Sequence, residues 1–443
     1  MHAKTTNKPR LISSYAIAII TFAQLFGTSL WFSANSAAMD LMREWHMSVS
    51  DLGWLTNAVQ AGFIFGTFSI ALTGIADRFK ASSIFVCAAL SGSVFNLCFA
   101  WLAQGLIDGL LYRFLVGLCL AGIYPIGMKL VVQWAPHKAG QVLAQLVAML
   151  TLGTALPFAL TALSADLAWQ SVITFSSVLA VCAAALIFYL GVPETATQTQ
   201  SDQAFKVHNH APTLAPPRTS TFQVFKIAKF RAAALGYFGH MWELYAFWTL
   251  LPLFIARSGI IESLTLDASP PAHSTSASIV QAPIQQIALF SFAIMACGAI
   301  GCLLGGYLSK RFGSDKVALA ALLLSGLCGL SFALGWAVLP AWLLLLILAL
   351  WGASVIADSP QFSALSAQAC PPEQIGAALA IQNSIGFAIT IVSIALTTYM
   401  FDLFGLNAAW VLLIGPIFGI AGYTATRITP DSPCKEKFKD PAC

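Results

Sequence analysis

The sequence predicts an all-α membrane protein with twelve transmembrane helices, arranged as two pseudo-symmetric six-helix bundles. Three observations support this fold class. Of the 443 residues, 58% are hydrophobic and only 9% are charged, whereas soluble domains carry about 25% charged residues. Twelve apolar segments of membrane-crossing length follow one another along the chain. Short motifs also recur at a nearly constant spacing between the two halves of the sequence.

Each apolar segment is long enough to cross a bilayer, which requires about 20 residues. Several contain a proline, as at Pro125, Pro157, Pro252 and Pro416. Neighbouring helices can satisfy the backbone groups that these prolines leave free. The segments, numbered 1 to 12 in order, lie at residues 13–35, 52–75, 82–104, 107–130, 139–162, 170–191, 232–255, 284–307, 317–338, 341–363, 374–399 and 407–426.

Basic residues predict the orientation. With both termini in the cytoplasm, the inside loops and tails hold eighteen Lys and Arg residues, and the outside loops hold only Arg43 and Arg257. This asymmetry agrees with the positive-inside rule. Residues 1–10 are polar and basic, and the first apolar run lacks a small-residue cleavage site, so no cleavable signal peptide is expected. The predicted location is the cytoplasmic (inner) membrane, crossed many times.

Polar stretches divide the chain. Residues 1–194 form the predicted N-terminal bundle, 195–230 a cytoplasmic linker, and 231–443 the C-terminal bundle with a short cytoplasmic tail. A second polar insert, 258–283, is placed outside between segments 7 and 8. The ten cysteines are scattered, mostly in apolar runs, without a C-x-x-C pair. They are expected to be small buried apolar residues and not metal or redox ligands.

An internal repeat relates the two halves. The motif that starts at Pro136 opens segment 5, and the similar motif that starts at Pro372 opens segment 11, 236 residues later. Pro193-Glu-Thr195 ends segment 6, as Pro430-Asp-Ser432 ends segment 12, 237 residues later. The loops after segments 2 and 8 also correspond, at a spacing of 232 residues. The repeat predicts two parallel six-helix halves, related by an axis along the membrane normal.

The loop after segment 2 reads Gly74-Ile-Ala-Asp77-Arg78-Phe79-Lys80. Gly74 permits a tight turn, and the two charged residues can bond to the cytoplasmic ends of neighbouring helices. The loop resembles the signature G-x-x-x-D-R/K-x-G-R/K-R/K of the major facilitator superfamily of secondary transporters, although only two residues separate Gly74 from Asp77 and Lys80 stands where that pattern has glycine. The resemblance, which covers the whole chain, implies that Gly74, Asp77 and Arg78 form a gating loop, which latches the halves when the cavity faces outward.

Segment 4 carries Arg113-Phe-Leu-Val-Gly117, which resembles an R-x-x-x-G element of the same family that is often associated with proton coupling. Arg113 lies about 10 Å from the outer end of its segment at 1.5 Å per residue. It is expected either to bind an anionic group of the substrate or to extend toward the outer interface. Asp108 is a possible partner. Segment 5 lacks the adjacent Gly-Pro pair that is usual in proton-driven drug exporters, which weakens the multidrug antiporter alternative.

The resemblance implies that segments 1, 4, 7 and 10 line a central cavity. Asp358, followed by Ser359 and Pro360 near the inner end of segment 10, is predicted to be a gate or helix-capping residue. The amides of segment 11 suit either substrate hydrogen bonding or helix packing. The substrate-binding candidates are Arg113, Gln24, Asn35, Tyr124, Trp242, Tyr245, Gln382 and Asn383.

Glu243 is the most informative residue at membrane depth. It lies about 12 residues, or roughly 18 Å, from the inner end of segment 7, near the midplane of a core about 30 Å thick. Without a partner, a buried carboxyl group favours its protonated form. His240 lies three residues earlier on the same helix face. The sequence predicts that Glu243 is the proton site, assisted by His240. The alternative is a static hydrogen bond between helices.

These observations predict a secondary active transporter that moves a small solute by alternating access, coupled to protons, with a preference for a small anion. An efflux carrier for amphipathic or drug-like compounds is the closest alternative, and a membrane sensor or scaffold that transports nothing is a third. No metal-ligand spacing, nucleotide loop or nucleophile motif indicates an enzyme or a cofactor. The expected partners are a small-molecule substrate, protons and the lipid bilayer, without nucleic acid, and the chain is expected to be a monomer.

Overall fold

The computed structural model describes residues 7–135, 139–164, 167–191, 221–266, 276–371 and 374–428. Every regular element in these ranges is helical, including two 3₁₀ helices at Thr221–Lys226 and Gly405–Ala408. The α-helices are α1 Asn7–Thr28, α2 Ser33–Ser36, α3 Ala38–Glu44, α4 Val49–Thr73, α5 Ile75–Arg78, α6 Ala81–Leu102, α7 Leu106–Leu120, α8 Tyr124–Trp134, α9 Ala139–Leu163, α10 Trp169–Leu190, α11 Ala228–Arg257, α12 Ile260–Leu266, α13 Ser276–Phe312, α14 Ser314–Gly335, α15 Ala341–Ser354, α16 Ser359–Ala369, α17 Ile375–Phe404, α18 Ala409–Leu412 and α19 Ile414–Ile428.

Nine helical stretches of the described residues are long and apolar enough to cross a membrane, and Tyr15–Thr28 is a shorter apolar helix. One of the nine, Ile375–Thr426, runs over 52 residues and includes both α17 and α19. Helix α11, which corresponds to predicted segment 7, is not among them, since its charged and aromatic residues lower its mean hydropathy. The all-helical membrane fold is therefore confirmed. The count of twelve transmembrane helices and the cytoplasmic location of both termini stay predictions.

Predicted segments 4 and 10 are each broken into two helices. Segment 4 is α7 followed by α8, and segment 10 is α15 followed by α16. In both cases a proline, Pro125 or Pro360, lies within the first two positions of the second helix. Proline lacks a backbone N–H and fits the start of a helix, where that donor has no helical partner. Each second helix has 11 residues, so the two breaks are alike.

Predicted segment 1 also differs from expectation. The apolar run 13–35 is not one helix, because α1 ends at Thr28 and a short α2 begins only at Ser33. The Thr28 hydroxyl donates to the Gln24 carbonyl at 2.8 Å, and the Ser29 hydroxyl donates to the Phe26 carbonyl at 2.7 Å. Serine and threonine that bond to the backbone in this way favour bending or ending a helix.

The helices form two groups that meet along two helix pairs. In the first half, α1 packs on α8, α9 and α10, and α7 packs on α4 and α6. In the second half, α11 packs on α16, α17 and α19, and α15 packs on α13 and α14. Between the halves, α9 contacts α13 and α4 contacts α17. The domain boundaries themselves stay predictions.

Close glycine contacts recur in both halves. In the first, a Cβ atom on Gly117 would collide with the Val59 carbonyl oxygen across the α4–α7 contact. In the second, a Cβ atom on Gly352 would collide with the Ile294 carbonyl oxygen across the α13–α15 contact. The second contact lies about 235 residues after the first, as the internal repeat requires. Small residues let membrane helices approach closely, so the glycine of the R-x-x-x-G element is a packing residue.

The two halves are joined at one end by the carboxylate of Asp402, at the C-terminal end of α17. It accepts hydrogen bonds from the backbone N–H groups of Val49 at 2.9 Å and Ser50 at 2.8 Å, and from the Ser50 hydroxyl. These donors belong to the first turn of α4, where N–H groups have no helical acceptor. We call these contacts the Asp402 latch. The predicted orientation places it at the outer face.

Several predicted features lie outside the described residues. These are most of the linker, within 192–220, the middle of the outer insert, 267–275, the tail from 429 onward, and the motifs at Pro136 and Pro430. The side chain of Asp77 is also not described. Within the gating loop, Gly74 has a φ of 65°, a left-handed conformation that favours glycine. Arg78 ends α5 and is exposed. The function of this loop stays a prediction.

Candidate functional site

The guanidinium group of Arg113 fills the break between α1 and α2. Its Nη2 atom donates to the backbone carbonyl groups of Leu30 and Trp31, and its Nη1 atom lies 3.0 Å from both Ser33 Oγ and Asn96 Oδ1. The side chain is completely buried. Arg113 therefore supplies donors to carbonyl groups that the end of α1 leaves free.

This environment differs from the expected one. All four polar neighbours of Arg113 belong to the first half of the protein, so both Nη atoms are bonded without any substrate. The Nε atom has no hydrogen-bond partner among the described residues. Asp108, the suggested partner, instead accepts from the Gln104 backbone N–H at 3.2 Å. The prediction that Arg113 extends to the outer interface is wrong for this conformation, because its donors are held inside the bundle.

Glu243 joins three helices of the second half. Its Oε2 atom accepts from the Ser325 hydroxyl on α14 at 2.8 Å, and its Oε1 atom accepts from Trp351 Nε1 on α15 at 2.7 Å. The carboxyl group is completely buried. The expected contact with His240 is not formed, because the two side chains have different partners even though they share one helix.

His240 contacts Asp358. The imidazole Nδ1 atom lies 2.8 Å from Oδ1 of the carboxyl group, and the two side chains are 0% and 1% exposed. Asp358 occupies the break between α15 and α16, one residue before the helix that begins at Ser359. It had been expected near the inner end of segment 10. Because α16 continues to Ala369, Asp358 lies well inside the segment, and its predicted position as an inner gate is wrong.

The breaks in α7–α8 and α15–α16 are related by the internal repeat. Pro360 follows Pro125 by about 235 residues, close to the spacing of the other repeated motifs. In transporters built from repeats, discontinuous helices at corresponding positions of the two halves mark the binding region. The residues around Tyr124 and Asp358 therefore locate the candidate site between the two halves.

Aromatic rings from both halves pack together on one side of this region. The ring of Trp31 has its centroid 4.9 Å from that of Phe63, 5.8 Å from that of Tyr245 and 6.1 Å from that of Phe387. Trp31 and Phe63 belong to the first half, and Tyr245 and Phe387 to the second. We call these four residues the aromatic cluster. Trp31 lies just beyond the end of α1, on the side that the predicted orientation places toward the outer face.

Two further tyrosines lie beside the cluster. Tyr124, the first residue of α8, stacks on Phe63 with centroids 6.4 Å apart. Tyr237 on α11 has its ring 5.8 Å from that of His240. Tyr124 and Tyr245 are among the residues predicted from the sequence, whereas Tyr237 is not. One turn of helix separates Tyr237 from His240, a spacing that places both on one face and that would have identified it.

Three buried amides lie on helices that border the two halves or the break before α8. Gln24 on α1, Gln60 on α4 and Gln382 on α17 are each 0% exposed. Within the described ranges, neither amide atom of any of them has a hydrogen-bond partner. Gln24 and Gln382 were predicted as candidates, but Gln60 was missed, since a single amide in an apolar segment forms no motif.

Three other predicted residues lie away from this region or have no contact that assigns a role. Trp242 Nε1 donates to the Val411 carbonyl on α18 at 2.9 Å, so the indole packs on a C-terminal helix of its own half. Asn35 donates to the Thr56 hydroxyl at 2.8 Å and ties α2 to α4. Asn383 is half-buried on α17. The expectation that Trp242 and Asn35 face a substrate disagrees with these contacts.

Comparison with known proteins identifies the family. The sequence model described as Major Facilitator Superfamily matches residues 17–281 and 233–442. Niacin transporter NiaP from Acinetobacter baylyi is 30% identical over 114 residues, which are 26% of this chain and 25% of that protein. The match thus spans about a quarter of this curated relative.

Solved structures share the fold over nearly the whole chain. A bacterial homolog of the human lysosomal transporter Spinster, in an inward-facing and unoccupied conformation, has a TM-score of 0.65 at 16% identity and covers 94% of this chain and 97% of its own. A D-xylose-proton symporter has a TM-score of 0.66 at 15% identity, and the match covers 95% of this chain and 98% of the symporter. Family and fold indicate a transporter and not an enzyme. The chain therefore belongs to the Major Facilitator Superfamily of multi-pass membrane transporters.

Proposed function

We propose that the protein is a proton-coupled secondary transporter of the cytoplasmic (inner) membrane, which acts as a monomer and moves a small solute by alternating access. The observation that supports this proposal is the contact between His240 and Asp358. An imidazole and a carboxyl group 2.8 Å apart are fully buried at the helix break of the second half. Ionisable groups at membrane depth are costly to maintain and generally serve ion or substrate pathways.

This pair can carry a proton. An imidazole and a carboxyl group in contact can share one proton, and the pair then has no net charge. Loss of that proton leaves one negative charge buried in an apolar environment, which is unfavourable. A conformation that buries the pair completely therefore favours the proton-loaded form. Proton release then requires access to water, which alternating access provides on one side at a time.

Glu243 is the competing proton site, as the sequence suggested. We assign it a different role, because both of its carboxylate oxygens already accept hydrogen bonds within the second half. The contacts with Ser325 and Trp351 tie α11 to α14 and α15. Glu243 then stabilises the bundle in which His240 is held, and the proton is carried one helical turn away.

The test uses the purified full-length chain in liposomes with an imposed pH gradient, offered radiolabelled niacin, nicotinamide or D-xylose. Proton movement is followed with a pH-sensitive dye inside the liposomes. We expect accumulation of a solute together with protons. Asp358→Asn should abolish gradient-driven accumulation and retain exchange of labelled for unlabelled solute. Glu243→Gln should retain both. Full accumulation by Asp358→Asn, or its selective loss in Glu243→Gln, would contradict the assignment.

Efflux of amphipathic compounds is a second candidate function, favoured by the aromatic cluster. Its four rings contact one another, and rearrangement of such rings could accommodate an apolar compound. Counterflow of a fluorescent amphipathic dye in the same liposomes tests this candidate. Dye counterflow that exceeds solute counterflow would favour efflux over the primary proposal.

A further inference from the structure

We propose that the transported solute is an uncharged, ring-shaped polar molecule, and that Gln24, Gln60 and Gln382 recognise it through their amide groups. This proposal rests on the proposed function, since it assumes that the solute passes through the site between the halves. It replaces the predicted preference for an anion, which depended on Arg113.

Gln24, Gln60 and Gln382 share one unusual property, an unsatisfied buried amide group. All three side chains are completely buried, and none of their six amide atoms has a hydrogen-bond partner in the described part of the chain. Buried polar groups in proteins are nearly always hydrogen-bonded. Three such side chains from three helices and both halves indicate partners that come from outside the protein fold.

The position of Gln24 connects it to the candidate site. The side-chain amide oxygen of Gln24, Oε1, packs so tightly on Gly127, in the first turn of α8, that a Cβ atom at that glycine would collide with it. Gln24 therefore lies beside the broken end of α8, where Tyr124 begins the helix. The break in this helix is one of the two that define the candidate site.

Gln60 and Gln382 belong to α4 and α17, one of the two helix pairs that join the halves. Gln60 shares a helix face with Phe63 of the aromatic cluster, three residues later. Gln382 lies one turn before Gly386, against which Tyr237 packs, and Phe387 follows. Both amides thus lie on the faces that carry rings of the site, one on each side of the boundary between the halves.

The charged groups near the site disfavour an anionic solute. An amide group offers one acceptor and two donors and carries no charge. Of the nearby ionisable groups, His240 and Asp358 contact each other, and Arg113 is bonded to protein oxygens. A negatively charged solute would therefore lack a cationic partner in an environment where an unpaired charge is strongly disfavoured. An uncharged molecule with both donors and acceptors matches the amides.

The aromatic rings of the site favour a ring-shaped solute. Phe63 and Phe387 have ring centroids 4.6 Å apart and lie across the boundary between the halves. Aromatic rings pack well against a flat ring or against the C–H face of a sugar. Both kinds of solute present donors and acceptors around a ring. Binding measurements with nicotinamide and with D-xylose distinguish them.

Binding is measured with the purified full-length protein and three probes. Nicotinamide is an uncharged aromatic ring, nicotinate is the same ring with an anionic group, and D-xylose is an uncharged sugar. We expect nicotinamide or D-xylose to bind at least about tenfold more tightly than nicotinate, in proportion to the cost of an unpaired charge. Equal or tighter binding of nicotinate would overturn the proposal.

Leucine variants test the amides directly. Gln24→Leu, Gln60→Leu and Gln382→Leu should each weaken binding of the uncharged probe by about tenfold, as expected for the loss of a hydrogen bond. Gln170→Leu, at the start of α10 and away from the site, is the matched control and should bind like the wild type. Unchanged binding in all three site variants would overturn the proposal.

Thermal unfolding without any probe gives a second readout. Amides kept for a solute are unsatisfied in its absence, so the same leucine variants should unfold at a higher temperature than the wild type. A lower unfolding temperature in all three would show that the amides serve the fold, and would overturn the proposal whether or not a probe binds. Asp358→Asn should retain probe binding even though it loses proton coupling, which separates failure of this inference from failure of the proposed function.

Discussion

The Nδ1 atom of His240 and the Oδ1 atom of Asp358 lie 2.8 Å apart, although the two residues belong to different helices and Asp358 interrupts one of them. The contact connects α11, which packs on three helices of its half, to the hinge between α15 and α16. Any change in the charge of this pair therefore acts on a helix break, where the backbone can move more easily than inside a regular helix.

The first prediction is a pH-dependent conformation in the absence of solute. Spin labels at Ile107 and Val338, which are exposed and lie in opposite halves at the predicted outer face, report opening on that side. Raising the pH should increase the population with a long label distance, because a deprotonated pair disfavours the conformation that buries it. Pulsed electron–electron double resonance measures this distance in a variant whose native cysteines are replaced.

Two variants serve as controls for that measurement. Asp358→Asn should give a distance distribution that no longer changes with pH, since the asparagine cannot lose a proton. Glu243→Gln should respond to pH like the wild type, since the proposal gives this residue no exchangeable proton. The opposite pattern would assign the proton to Glu243.

The second prediction concerns Arg113. In Arg113→Leu, the Trp31 carbonyl group loses the guanidinium donor, while the Leu30 carbonyl group keeps only the Ser33 hydroxyl. A buried acceptor left unpaired costs about 1–3 kcal/mol. We expect a marked fall in the unfolding temperature, and Arg113→Lys should rescue it only in part, because one ammonium group cannot replace both guanidinium nitrogens.

Asn35→Ala is the matched comparison for Arg113→Leu. It removes a single interhelical hydrogen bond, to Thr56, whose hydroxyl still donates to the Leu52 carbonyl. Such bonds in membrane proteins average about 0.6 kcal/mol. If Arg113→Leu destabilised the protein no more than Asn35→Ala, the proposed role of Arg113 in the helix break would be refuted.

The third prediction concerns the Asp402 latch. Asp402→Ala removes every contact of the latch and should shift the same outer label pair toward longer distances. Asp51→Ala is the control. It removes the capping box with Ser48 at the start of α4, which weakens that helix end without breaking a bond between the halves. An equal shift in both variants would mean that the start of α4, and not the contact between the halves, controls the distance.

The fourth prediction concerns helix packing at Gly117. Gly117→Ala should lower the yield of monodisperse protein and its unfolding temperature, since overpacking costs about 1–3 kcal/mol and the Val59 backbone cannot move away easily. Gly376→Ala has open space around its Cβ position and should be neutral or stabilising by up to about 1 kcal/mol. Equal effects of the two substitutions would contradict the close-packing account.

The helices and the repeat could be predicted because both are recorded in local patterns. The third apolar segment, expected at 82–104, is a helix from Ala81 to Leu102. The repeat spacing predicted matching halves, and the matching helix breaks and glycine contacts agree with it. Hydropathy alone did not detect the breaks themselves, since the apolar run continues through them.

The partners of the buried polar groups could not be predicted in the same way. His240 and Glu243 lie on one helix face, so local spacing favoured a pair. Their actual partners, Asp358 for one and Ser325 with Trp351 for the other, come from helices that are distant in sequence. Such a choice is decided by how whole helices pack, about which a spacing of three residues says nothing.

The latch also has unequal sensitivity to mutation on its two sides. Two of its three donors are backbone N–H groups, at Val49 and Ser50, and these groups are retained by every side chain except proline. Its only acceptor is one carboxylate, at Asp402. A deep mutational scan would therefore find position 50 tolerant of most replacements and position 402 intolerant, while burial of Val49 in the core separately restricts position 49. Substitution of Asp402 alone is therefore expected to change how readily the outer side opens.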